Sequence, residues 1–304
     1  VYGLDLSTTA KAGYTGYKKA IDILSNQDEY DINMLAMPGV IHALHPLVTN
    51  AGIDMCEERG DTFFVMDLEN KDASVNTAVS AADGLDTNYA AVYYPWVKVL
   101  DTAANKPVFV PPSVIVPGAI AASDRIGAEW FAPAGLNRGV LGNVIEAKIR
   151  LSQSERDVLY DNKINPIATF PQTGVCIWGQ KTLQERSTAL DRINVRRLLL
   201  AVKKFIASSS KYLVFEQNTL QTRNRFLGIA NPYLESIQQR QGLYAFRVVM
   251  DESNNTPDEI DRNRLIGAIY LQPTRTAEYI ILDFNILRTG ATFDNGGGGG
   301  GGSY

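Results

Sequence analysis

A chain of 304 residues, 45% of them hydrophobic and 20% charged, can bury a substantial core and is long enough for two domains. Its formal net charge of −4 and the lack of a long Lys/Arg block give no basis for nucleic acid as a partner. No apolar run approaches the roughly 18 residues of a membrane span, and no charged-then-apolar leader opens the chain, so no membrane partner is expected.

Residues 1–30 are expected to be the end of a preceding segment. From there the first half alternates strand-like and helix-like stretches. "INMLAMPG" (32–39) reads as a strand, and residues 44–59 follow as a helix. "TFFVMDL" (62–68) is a near-continuous apolar run, as a strand covered on both faces requires. The small-residue helix in "SVNTAVSAADG" closes at Gly84, and "YAAVYYPWVKV" (89–99) makes the next strand. This alternation predicts an α/β domain over 31–142 with a mainly parallel sheet. Pro111-Pro112 opens a further helical stretch, and "FAPAGLNRGVLG" (131–142) reads as a loop leading into a linker or hinge over 143–173.

A second, α+β domain with a mainly antiparallel sheet is expected over 174–293. It begins with a strand at 174–179 and a helix at about 187–207, on which Val195, Leu198, Leu199, Val202 and Ile206 share one face. "KYLVFE" (211–216) reads as a strand, and Asn231-Pro232 as the N-cap and first turn of a helix ending at Gly242. Strands are expected at 243–250, 264–272 and 277–288, with a short capped helix opened by Thr256-Pro257-Asp258-Glu259. Seven consecutive glycines, Gly296–Gly302, make 294–304 a flexible tail.

"TGVCIWGQKTL" (173–183) approaches the phosphate-binding pattern G-x-x-x-x-G-K-[ST], with Gln180 inserted. Val175, Cys176, Ile177 and Trp178 are apolar or bulky where a cradle of backbone N–H groups needs an open loop, so a buried strand is the better reading. His42 and His45, the only histidines, fall three apart on an expected helix, yet no H-E-x-x-H pattern accompanies them and no metal is expected. No G-x-S-x-G or G-x-G-x-x-G occurs, and Asp5, Asp67 and Asp101 read as ordinary residues of strand ends or turns. Cys56 and Cys176 read as buried thiols. An α/β hydrolase or nucleotide-binding enzyme is therefore the alternative, and a protein without catalytic residues or cofactor the leading expectation. Arg196 with Lys203, and Arg197 with Lys204, form two basic rows seven residues apart, either a solvated face or a docking surface for an acidic partner.

"YYPW" (93–96), "PPSVIVPGAIAASDRIGAEWFAPAG" (111–135), "GVCIWGQKTL" (174–183), "RINVRRLLLAVKK" (192–204) and "PTRTAEYIILDF" (273–284), in this order, resemble the contractile tail sheath proteins of bacteriophages, over roughly residues 30–290. Gln180 departs from the family's more usual Gly-Lys, and the N-terminal segments of a complete sheath subunit are not in evidence. The resemblance implies that the glycines and lysine of 174–183 form a strand-to-helix junction. It also implies a first domain of subtilisin-like topology without the triad, and a C-terminal domain facing the tail tube. Hexameric rings of identical copies would stack helically around the tube, with baseplate and tail terminator proteins as further partners. Such a subunit resides in the virion after assembly in the host cytoplasm, and contraction drives the tube through the host envelope. In that picture Arg196, Arg197, Lys203 and Lys204 are candidates for tube or inter-subunit contacts. The alternating strand Tyr279, Ile280, Ile281, Leu282, Phe284, Ile286 and Leu287 is the candidate arm that adds to a neighbour's sheet.

Overall fold

In the computed structural model, which describes residues 5–278, the centre of the first half is a sheet that two layers of helices cover. Helix α1 (Ala12–Leu24) leads into β1 (Met34–Ile41), α2 (Pro46–Arg59), β2 (Phe63–Asp67), α3 (Val75–Ala82) and β3 (Ala90–Tyr94). β1, β2 and β3 are parallel neighbours, in register at Leu35↔Phe64 and Val65↔Ala91. Every residue of β2 and β3 is buried. The pleat explains why both strands are apolar throughout. Phe64, Met66, Val92 and Tyr94 face a core with α1, α2 and α3. Phe63, Val65, Ala91 and Tyr93 face a second core on the other side.

The run 89–99 is not one strand. It breaks at Pro95, whose missing N–H ends the ladder, and the Tyr94–Pro95 peptide is cis. The chain then enters a separate antiparallel sheet of order β5-β4-β6, made by β4 (Val97–Asp101), β5 (Lys106–Val110) and, later, β6 (Val144–Ala147). Between them lie α4 (Val116–Ile126) and α5 (Gly135–Arg138), the latter inside the expected loop.

Residues 143–173, read as a linker, are not bare chain. They carry β6, the helix α6 (Gln153–Asp161) with a complete Ser152/Glu155 capping box, and β7 (Ile164–Phe170). β7 pairs parallel with β3 at Val92↔Ile164, and β8 (Gly174–Ile177) pairs antiparallel with β7 at Ala168↔Cys176. The full order is thus β1-β2-β3-β7-β8, so the strand expected to open the second domain closes the sheet of the first.

The long helix α7 (Ile193–Ser210) starts later than expected, after a 3₁₀ turn at Ala189–Asp191. "KYLVFE" is no strand: Lys211–Leu213 continue as a 3₁₀ turn, and Phe215 has φ of 70°. Helix α8 (Leu220–Gln239) begins at the N-cap Thr219, twelve residues before the expected N-cap Asn231, and runs through Pro232. Phe226, Ala230, Leu234 and Ile237 continue one buried stripe across the proline, so burial carries the helix past it. β9 (Leu243–Val249), α9 (Pro257–Asp261) and β10 (Ala268–Pro273) follow. β9 and β10 form a two-stranded antiparallel sheet, in register at Tyr270↔Arg247. Thr256 does precede α9, but its side chain makes no capping bond. Residues through Thr274 form one compact unit. The expected arm residues Tyr279–Leu287 and the glycine tail lie outside the described residues.

Candidate assembly surface

The near-match to a phosphate loop is a structural joint. At Gly179 a Cβ would stand 2.9 Å from Asn165 Oδ1 and 3.0 Å from both Pro166 and Tyr160, so close packing requires the glycine. Asn165 is fully buried; its Nδ2 donates to Val92 O (3.1 Å) and Lys181 O (2.8 Å), and its Oδ1 accepts from Lys181 N (2.6 Å). Thr182 N donates to Asp191 O and Ile193 N to Gln180 O, which ties β8 to the start of α7. Lys181 Nζ donates to Tyr160 O at 2.7 Å and lies 4.3 Å from the ring centroid. The N–H groups of 181 and 182 that a phosphate would need are thereby engaged within the fold. Val175, Cys176 and Ile177 are buried as expected, but Trp178 leaves the strand half-exposed against Phe170.

His42 and His45 sit in the turn before α2 rather than on a helix. His42 Nδ1 pairs with Thr49 Oγ1 at 2.8 Å, and His45 Nδ1 accepts from Ile41 N at 3.1 Å. Burial holds both imidazoles below the ordinary histidine value. Among the described residues no three His, Cys, Asp or Glu side chains gather as a metal site. Cys56 and Cys176 are free and buried, and burial pushes the Cys56 thiol up to about 12. Asp67 is less ordinary than its place in the sequence suggests. At the end of β2 it accepts from Ser113 Oγ (2.6 Å), Ser113 N (3.0 Å) and Gly39 N (3.4 Å), and burial raises its pKa to about 6.

The four basic residues of α7 separate into two kinds. Arg196 and Arg197 are only 2% and 5% exposed, which corrects the expectation of a solvated face. The cause is that α7 is gripped from two sides. Ile193 and Leu200 enter the core behind the parallel sheet, while Leu198 and Val202 enter a core with Trp130, Leu234 and Leu243. Arg197 fills the seam by pairing with Asp124 on α4, Nη1 to Oδ1 at 2.8 Å. Arg196 Cζ lies over the Tyr89 ring, 3.4 Å from its centroid, with Nε and Nη2 lacking hydrogen-bond partners. Burial lowers its pKa to about 10. Lys203 is exposed, and Lys204 pairs with Asp31 and donates to Ile32 O. A scan for the apolar residues on either side of 196–197, rather than for one stripe, is the signal that would have placed the arginines inside.

The two-stranded sheet offers open edges: among the described residues β9 pairs only with β10, and β10 only with β9. Its outward face carries Tyr244 and Tyr270, both more than 60% exposed, with Arg247 opposite Tyr270.

A mixed α/β core with a mostly parallel sheet, followed by small antiparallel sheets, is the architecture of the sheath fold. The chain belongs to the phage tail sheath family: residues 10–183 match the phage tail sheath protein central domain, and residues 185–287 the phage tail sheath C-terminal domain. It is 41% identical over 186 residues to the tail sheath protein of Enterobacteria phage T4, covering 61% of this chain and 28% of that protein. Against the tail sheath protein of Salmonella phage ViI it is 33% identical over 282 residues, 90% of this chain and 44% of the relative. The chain thus spans less than half the length of these relatives. The helical sheath of the anti-feeding prophage in its contracted state superposes with a TM-score of 0.75 at 28% identity, covering 92% of this chain and 75% of that one. The contracted sheath complex of the extracellular contractile injection system PVC superposes with a TM-score of 0.74 at 28% identity, covering 87% and 74%. These relatives are structural proteins, and the enzyme alternative has no support among them.

Proposed function

We propose that this chain is the body of a contractile tail sheath subunit that polymerises helically with its own copies around a tail tube and contracts to drive the tube through a host envelope. The observation that carries this is the match of both sheath domains in order, together with the superposition on a contracted helical sheath over 92% of the chain. Baseplate association is part of the same proposal, because the baseplate of the anti-feeding prophage contains a chain that superposes with a TM-score of 0.76 at 27% identity. The tube, the tail terminator, hexameric rings, a virion location after assembly in the host cytoplasm, and a role without nucleic acid or membrane complete it. We also carry forward the subtilisin-like topology without a triad for the β1-β2-β3-β7 sheet.

Contraction in this scheme needs two packings of nearly rigid subunits, so the driving energy resides in interfaces rather than in a nucleotide. The residues from Tyr279 to Leu287 would add to the open edge of a neighbour's β9–β10 sheet, giving main-chain bonds that persist while bodies move. Of the four basic residues, Lys203 and Lys204 are the ones with a side chain at the surface to meet a tube or a neighbour. Electron microscopy of the purified protein, alone and with tail tubes, tests this proposal. Tubes of regular helical repeat are expected; monomers under every condition, tubes included, would overturn it.

A further inference from the structure

The connection between α7 and α8 displays apolar side chains in a way that solvent does not favour. Tyr212, Val214 and Phe215 are 79%, 60% and 103% exposed, whereas Leu213 between them is buried. The display is held in place. Leu213 anchors in a core with Phe226 and Met250, Lys211 pairs with Asp28, Glu216 N donates to Leu213 O, and Arg223 Nε holds Asn218 at 2.9 Å. Phe215 has φ of 70°; the other five non-glycine residues with positive φ among those described are Asn, Lys or Gln. A phenylalanine fully in water and in left-handed backbone serves neither packing nor backbone comfort.

At the other end of α7 lies a recess of about 400 Å³, walled by Glu57, Asp86, Tyr89, Arg186, Thr188 and Leu190. The knob follows the end of α7 and the recess lies beside its start, and the helix between them, 18 residues, is about 27 Å long. The recess has room for an aromatic side chain, with Tyr89 and Leu190 as apolar wall. It carries Glu57, Asp86 and Arg186, and Glu216 beside the knob is opposite in charge to Arg186. A knob and a recess at different places on one chain make a head-to-tail contact, which propagates into a filament wherever its rotation does not close a ring.

We propose that the Tyr212–Phe215 knob of one copy docks into the recess beside the start of α7 in a second copy. The inference rests on the self-assembly proposed above and assigns it a specific contact. Phe215→Gly suits the left-handed backbone and removes no internal packing, so its melting temperature should equal or exceed that of the parent. Its critical concentration for assembly should nevertheless rise at least tenfold. A photoreactive benzoylphenylalanine at position 215, in sheaths mixed from isotopically light and heavy copies, should cross-link to residues 184–190 or 86–89 of a different copy. Normal assembly of Phe215→Gly, or a cross-link to another protein or to another region, would overturn the contact while leaving the sheath function intact. Failure of the unmodified protein to assemble would overturn both.

Discussion

Asp67 shows how a single side chain can couple this fold to pH. Folding lifts its pKa from about 4 to about 6, because burial disfavours the carboxylate more than Ser113 and Gly39 favour it. The folded state therefore holds the proton more tightly than the unfolded chain. The resulting stabilisation is complete below about pH 4 and is lost as pH rises through about 6, to a limit of about 3 kcal/mol. Asp67→Asn should flatten the dependence of the urea midpoint on pH between 4.5 and 7.5; an unchanged slope would assign that dependence to other groups. Asp124 makes the opposite case. Removing it by Asp124→Ala leaves the buried Arg197 guanidinium without its partner and should cost about 3 kcal/mol in urea unfolding. Neither role is legible locally, since Asp67 lies 46 residues from Ser113 and Asp124 lies 73 from Arg197.

Helices and strands follow the sequence where pattern and burial agree. β2, α2 and α3 lie within a few residues of their expected limits because their apolar runs, caps and glycines suffice to define them. Where they diverge, burial prevails over local chemistry. Asn231-Pro232 has the form of a helix start, yet α8 passes through it because four buried positions align across it. Pro232 is exposed and donates no hydrogen bond, so Pro232→Ala should stabilise the protein by about 1–3 kcal/mol, seen as a higher melting temperature. A lower melting temperature would mean that the packing of Leu234 and Ile237 depends on the bend a proline imposes. "KYLVFE" diverges for the converse reason. It has strand composition but no partner strand and only one buried side chain, Leu213, among its apolar residues.

Because α7 contributes to the core behind the parallel sheet and to the core beneath β9–β10, the two halves of the compact unit are expected to unfold together. Leu198→Ala should cost about 2–5 kcal/mol, and far-UV circular dichroism and tryptophan fluorescence should report one coincident transition before and after the change. Two separate transitions would show that the cores are independent. This coupling suits a subunit that moves as a nearly rigid body, for which interfaces rather than internal hinges absorb the change of state.

Periodicity was enough for the alternating first half, and five short motifs in order carried the resemblance to sheath proteins, because each of these rests on residues near one another in the chain. The burial of Arg196 and Arg197, the entry of β7 and β8 into the first sheet, and the exposure of Tyr212 and Phe215 were decided only in three dimensions. Each depends on what a second, distant segment places beside the first. A basic residue on a helix is a solvated charge until another core covers it, and no local pattern records that the cover is there.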